Sequence, residues 1–187
     1  MKTISLSQID TIHAETKDLN VIVETARGSR TKFKHDPETG LFLLDKILPA
    51  GAVFPYDFGF FPSTIGEDGD PLDALVLTDE PLFPGCLVRA RLIGAIEAEQ
   101  TARGKTIRND RLITVASESW EWRRIGELED LATDLIDQIE HFFVSYNQME
   151  AREFKPIRRA GSRTARKLLD EGIERVRDLS ESLMAIQ

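Results

Sequence analysis

The sequence predicts an α+β protein, a small closed or partly open β-barrel with two long C-terminal helices packed on it. Two observations carry this expectation. Up to Ala116 the apolar residues alternate in short runs separated by Gly, Pro, Asn and Asp turns, the two-residue period of strands. From Leu128 onward they recur every three or four residues, the period of amphipathic helices. Strands first and helices afterwards define the class, and many short strands joined by tight turns suit a barrel. The 187 residues suffice for one core, so positions 1–187 read as a single domain without internal repeats.

Taken in order, residues 1–17 lack strong periodicity and suit a short N-terminal helix or arm. Asn20 to Thr25 alternates as a strand, with Thr31 to His35 as its expected hairpin partner across a Gly28-Ser29 turn. Asp36-Pro37-Glu38-Thr39-Gly40 is a turn leading to a strand over Leu41 to Leu48. Leu75 to Thr78, Cys86 to Ile96 and Leu112 to Ala116 complete the β elements, and polar Glu97 to Asn109 reads as a long turn or loop. Leu128, Leu131, Leu135, Ile139, Phe142, Phe143, Tyr146 and Met149 mark one face of a long helix. After a connection over Pro156 to Ser162, Ala165, Leu168, Leu169, Ile173, Val176, Leu179 and Leu183 repeat the pattern in the C-terminal helix.

Apolar residues make up 41% and charged residues 30% of the chain, which excludes a disordered polyelectrolyte. A net charge of −8 argues against a general binder of nucleic acid or anionic membrane. The single cysteine, Cys86, excludes an internal disulfide and a cysteine-based zinc site. His13, His35 and His141 have no ligand spacing. No signal core or membrane-length apolar run is present, so a cytoplasmic protein is expected. The basic run from Arg152 to Lys167 could attract phosphate or nucleic acid but is more commonly a solvated polar face near the start of the C-terminal helix. Trp120 and Trp122 with Arg123 and Arg124 suit a surface platform or helix packing equally.

The chemistry concentrates in Phe54 to Leu77, FPYDFGFFPSTIGEDGDPLDALVL. Asp68, Asp70 and Asp73 form a D-G-D-P-x-D cluster whose three carboxylates repel one another unless a cation compensates them. Gly69 permits a tight turn and Pro71 blocks helix through it. Such oxygen ligands suit Mg²⁺, which takes few protein carboxylates together with waters and substrate phosphates. An isolated D-G-D-P is more often a solvated acidic turn. Here Asp68-Gly69-Asp70-Pro71-Leu72-Asp73 precedes Ala74-Leu75-Val76-Leu77 and follows the aromatic-proline stretch Phe54 to Phe60, with Pro81-Leu82-Phe83-Pro84-Gly85 downstream. In that order the motifs resemble the soluble family I inorganic pyrophosphatases, over about Asn20 to Tyr146.

The resemblance implies an OB-like barrel and a Mg²⁺-dependent hydrolysis of inorganic diphosphate to two phosphates by metal-activated water, with Mn²⁺ or another divalent ion as a substitute. It also implies a homo-oligomer whose partner is a small-molecule diphosphate rather than nucleic acid or membrane. Asp70 would be the catalytic base. Asp68, Asp70, Asp73, Asp110 and Glu24 would hold metal, and Lys32, Lys46, Arg111 and Tyr146 would bind substrate. Several residues depart from the family pattern: Lys46 for an arginine, Arg111 for a lysine, Phe54 and Phe58 for tyrosines, Lys34 for a carboxylate and Asn147 for a lysine. Counting back from Arg111 puts Asn109 at a metal-aspartate position with Asp110 one residue out of phase, and a further acid falls near Gln100. The departures keep open a relative that binds phosphate or phosphoanhydride compounds with little turnover, or one that hydrolyses a larger diphosphate ester.

Overall fold

Alternation and turn chemistry build most of the chain into strands. The computed structural model describes Leu6 and residues 9–184. The expected N-terminal helix or arm over residues 1–17 therefore lies partly outside the described residues. The strands are β1 (Leu19–Thr25), β2 (Thr31–Asp36), β3 (Leu41–Ile47), β4 (Asp57–Phe60), β5 (Asp73–Leu77), β6 (Leu87–Ala102), β7 (Lys105–Arg108), β8 (Arg111–Ala116) and β9 (Glu153–Gly161). The helices are α1 (Thr133–Gln148) and α2 (Ser162–Met184).

The pairings β1–β4, β4–β5, β5–β8, β8–β6 and β6–β1 return to their starting strand, so five strands close a small barrel. Only β5–β8 is parallel. Along β5 the side chains divide between two cores, as a period of two requires. Leu75 and Leu77 pack with Ile136, Ile139 and Phe143 of α1, while Ala74 and Val76 share a core with Ala165 and Leu169 of α2. Leu179, farther along α2, is exposed.

β4 lies within the aromatic-proline stretch, where the sequence reading recognised no strand. Asp57, fully buried, accepts hydrogen bonds from the Arg27 and Leu82 N–H groups and from the Thr78 hydroxyl. Two residues on, Gly59 crosses β1 so closely that a Cβ would lie 1.9 Å from the Ile22 carbonyl oxygen. No larger residue fits there.

Three connections differ from the sequence reading. β1 does not form a hairpin with β2; β2 pairs with β3, and β1 pairs with β4 and β6. Glu24 and Thr25 nonetheless hold β2 through side chains, accepting from the His35 and Phe33 N–H groups. The polar stretch after Ile96 is not a loop. β6 continues to Ala102 and turns into β7 through Arg103 and Gly104, whose φ angles of 51° and 76° match a two-residue hairpin turn. The connection over Pro156 to Ser162 belongs to β9 and the start of α2, with β9 pairing along β6. Pro156 is tolerated because it stands at a register shift in that ladder.

The first long helix also starts later than its apolar pattern suggests. The Asp130 carboxylate accepts from the Gly126 and Glu127 N–H groups at 2.8 and 2.9 Å, closing Leu128–Asp130 into a separate 3-10 turn. Leu128 and Leu131 are buried as expected, but outside α1. Among the described residues no helix is long and apolar enough to cross a membrane.

Candidate active site

The barrel, the β2–β3 hairpin and α1 enclose a cavity of about 520 Å³. Their geometry brings Glu24, Lys32, Lys46, Asp68, Asp70, Asp73, Arg111 and Tyr146 to its wall. These positions span 123 residues of sequence, from β1 to the end of α1.

Asp73 and Arg111 begin the parallel strands β5 and β8, just ahead of the paired Ala74 and Leu112. The shared register puts their side chains together, and the buried Arg111 guanidinium bonds both the Asp73 carboxylate and the Asn109 side-chain oxygen. It also lies 4.9 and 5.1 Å from the Phe143 and Phe154 ring centres. Asp68 and Asp70 come from the preceding turn, where Asp68 accepts the Asp70 N–H at 3.1 Å. Asp70 is gripped from across the cavity: Lys34 Nζ donates to its two oxygens at 3.0 and 2.9 Å.

The remaining cations occupy the opposite wall. Lys32 Nζ lies 5.6 Å from each of the Phe58 and Tyr146 ring centres and 3.7 Å from Asp45. Lys46 pairs with Glu150 and sits 5.5 Å from the Tyr146 ring. Phe54 and Phe58 line the same cavity as an apolar wall, packed on Tyr146 and Phe143 respectively.

Of the four carboxylates that line the cavity, Glu24 and Asp68 have no ion pair among the described residues. Glu24 is 8% exposed, and burial pushes it up to about 7 even though it accepts the His35 N–H and lies near Lys32. Burial raises Asp68 as well, and the negative Asp73 and Asp70 add to that against the hydrogen bond from the Asp70 N–H. For Lys34, burial favours loss of the proton, but the hydrogen bond and charge of Asp70 outweigh it and hold the ammonium above the ordinary lysine range.

No three carboxylates form a ready-made metal cage among the described residues. The donor set still fits a divalent cation beside Asp68, Asp70 and Asp73. Asp68 is an exposed carboxylate with two negative neighbours and no ion pair among the described residues, and a hard cation needs only a few such oxygens.

Asp110 stands apart from the sequence-derived set. The one-residue offset from Asn109 turns it away from the cavity, where it accepts the Ala98 N–H and the Arg108 guanidinium, each at 2.9 Å. It lines a neighbouring cavity of about 330 Å³ with Glu97, which Arg108 and Arg158 pair; Asp68, Asp73 and Asn109 border both cavities. Asn109 takes the inward position and donates to Gln100 Oε1 at 2.9 Å, an uncharged amide pair on the cavity wall. Arg152 and His35 also line the cavity, although the sequence reading assigned neither to the site. Arg152 follows a tight turn at Ala151, φ 53°, and no local sequence pattern distinguishes it from its basic neighbours.

A family model described as inorganic pyrophosphatase matches residues 21–177. The chain is 36% identical over 153 residues to the inorganic pyrophosphatase of Thermus thermophilus, covering 82% of this chain and 85% of that protein. It is 38% identical over 138 residues to that of Leifsonia xyli subsp. xyli, covering 74% and 82%. Among solved structures, the inorganic pyrophosphatase from Thermus thermophilus superposes with a TM-score of 0.85 at 30% identity, covering 93% of this chain and 99% of that one. The enzyme from Neisseria gonorrhoeae gives 0.82 at 31% identity, covering 92% and 99%.

Proposed function

The chain belongs to the inorganic pyrophosphatase family, and on that premise we propose that it hydrolyses inorganic diphosphate to two phosphates with Mg²⁺ as its divalent ion. The observation that carries the reading is the meeting of four carboxylates and five Lys or Arg side chains around one cavity. Diphosphate needs both: cations to hold it and a carboxylate to handle the proton of the attacking water.

When bound, the divalent ion lowers the pKa of water and spreads the negative charge of the reacting phosphate. Asp68, Asp70 and Asp73 would hold it, with Glu24 completing the acidic side. Asp70 orients the attacking water and takes its proton, a task for which a carboxylate needs only modest basicity beside a divalent ion. Lys32, Lys46, Arg111 and Tyr146 hold phosphate oxygens. Arg111 supplies a planar guanidinium already anchored through its Nη1 by Asp73 and Asn109, whereas Lys46 offers a point charge. Phe54 and Phe58 contribute shape without hydroxyl donors. The reading extends to one domain over 1–187, a cytoplasmic location and a homo-oligomeric assembly, as the family resemblance implies.

Phosphate release tests it. With Mg²⁺, diphosphate should yield two phosphates, and a chelator should stop the reaction. Release from nucleoside diphosphates at a comparable rate would assign a different substrate. No release from diphosphate at any Mg²⁺ concentration, with the protein folded, would overturn the hydrolytic reading.

A further inference from the structure

We propose that Lys34 is an exchangeable counter-ion. In the free protein it holds Asp70; when diphosphate arrives it turns to the substrate, so the cavity binds diphosphate without a divalent ion. The inference rests on the diphosphate reading above.

Three observations lead to it. First, the cavity wall carries five Lys or Arg side chains against four carboxylates, in a chain whose net charge is −8. Asp45 and Glu150 hold Lys32, Lys46 and Arg152, so the cationic charge that can turn to an anion before any metal enters is that of Lys34, and the Gln100–Asn109 pair adds hydrogen-bonding groups but no negative charge. Second, the cations are held unequally. The Arg111 side chain is 5% exposed and fixed by Asp73, and Lys46 is 25% exposed and paired with Glu150. Lys34 is 51% exposed and its partner Asp70 58%. An exposed ion pair of this kind contributes little stability, so the ammonium can leave it at small cost. Third, a diphosphate oxygen offers Lys34 a charge-assisted hydrogen bond at least equal to the one it gives up.

The exchange has a mechanistic consequence. While Lys34 donates to both Asp70 oxygens it occupies one acceptor site on each, so an attacking water must share the carboxylate with the ammonium. Transfer of the ammonium to substrate releases Asp70 at the moment diphosphate is in place. Lys34 thereby couples substrate binding to the availability of the base. No covalent bond changes in this step.

Calorimetric titration of metal-stripped full-length protein with inorganic diphosphate is the direct test. The wild type should bind, more weakly as salt rises, and Lys34→Met and Lys34→Gln should each weaken binding by about tenfold or more, the weight of one hydrogen bond to a charged group. Lys34→Arg should stay within a few-fold of wild type. A Mg²⁺ titration without diphosphate should show tighter binding in Lys34→Met, because Asp70 has lost its internal partner. No metal-free binding at millimolar diphosphate, or equal affinity in folded Lys34→Met and Lys34→Gln, would overturn the proposal. Hydrolysis with Mg²⁺ but no metal-free binding sinks this inference and leaves the function. Lys34-dependent binding without hydrolysis does the reverse.

Discussion

Replacing Glu24 by Gln should make the metal-free protein more stable at neutral and alkaline pH. The reason is burial. The Glu24 carboxyl ordinarily titrates at 4.5 and is pushed to about 7 in the fold, by desolvation first, against the opposing hydrogen bond from the His35 N–H. Below 4.5 the group is protonated in both folded and unfolded chains, and the wild type keeps its full stability. As pH rises from 4.5 through 7 the unfolded chain loses the proton first, so folding is progressively penalised. With 1.36 kcal/mol per pH unit of displacement, the penalty reaches roughly 3 kcal/mol by about pH 8. Gln carries no charge at any pH and keeps an oxygen for the His35 N–H. Urea unfolding of metal-stripped wild type and Glu24→Gln, followed by tryptophan fluorescence, should therefore give curves that separate as pH rises. His35 is shifted in the opposite sense, below its ordinary range by burial, but it is common to both proteins and drops out of the difference. Saturating Mg²⁺ should close the gap, since a cation beside Glu24 favours its ionised form. Parallel stabilities from pH 4.5 to about 8 would refute the reasoning.

Two further substitutions probe the cavity wall. Arg111→Met leaves Asp73 without its buried partner and should cost about 3–5 kcal/mol in a metal-free thermal or urea melt, with part recovered in Mg²⁺; an unchanged melt would show that the pair is dispensable. Phe58→Tyr adds a hydroxyl on a ring that Lys32 approaches to 5.6 Å, and one hydrogen bond of about 0.5–1.5 kcal/mol should lower the KM for diphosphate by up to roughly tenfold. Unchanged kinetics with the fold intact would mean this ring edge does not meet substrate.

The sequence displayed the site better than it displayed the connections. D-G-D-P-x-D and its flanking strand are local, so Asp68, Asp70 and Asp73 could be read directly. Glu24, Lys32, Lys46, Arg111 and Tyr146 are isolated in sequence and were named only through family resemblance. The cavity gathers them because β1, β2, β3, β8 and α1 meet around it. Lys34 appeared as a departure from pattern, but its grip on Asp70 depends on a β2-to-turn contact 36 residues apart. The Asn109–Asp110 ambiguity was one of phase, and only the strand's orientation shows that the amide faces inward. β7 and β9 were missed because their charged, exposed positions carry little apolar alternation. Asp57–Phe60 was missed because four residues, with a charged Asp at the start and a Gly in third place, are too short to show a strand's period.

The central claim is that this cavity hydrolyses diphosphate with Asp70 as the base, and phosphate release by Asp70→Asn at saturating Mg²⁺ tests it most directly. The amide is nearly isosteric but accepts no proton from water at neutral pH. Wild type should release two phosphates per diphosphate, and Asp70→Asn should lose about 10²–10⁴-fold in kcat while still binding diphosphate. A wild-type protein that binds diphosphate and releases nothing, or an Asp70→Asn protein as fast as wild type, would contradict it.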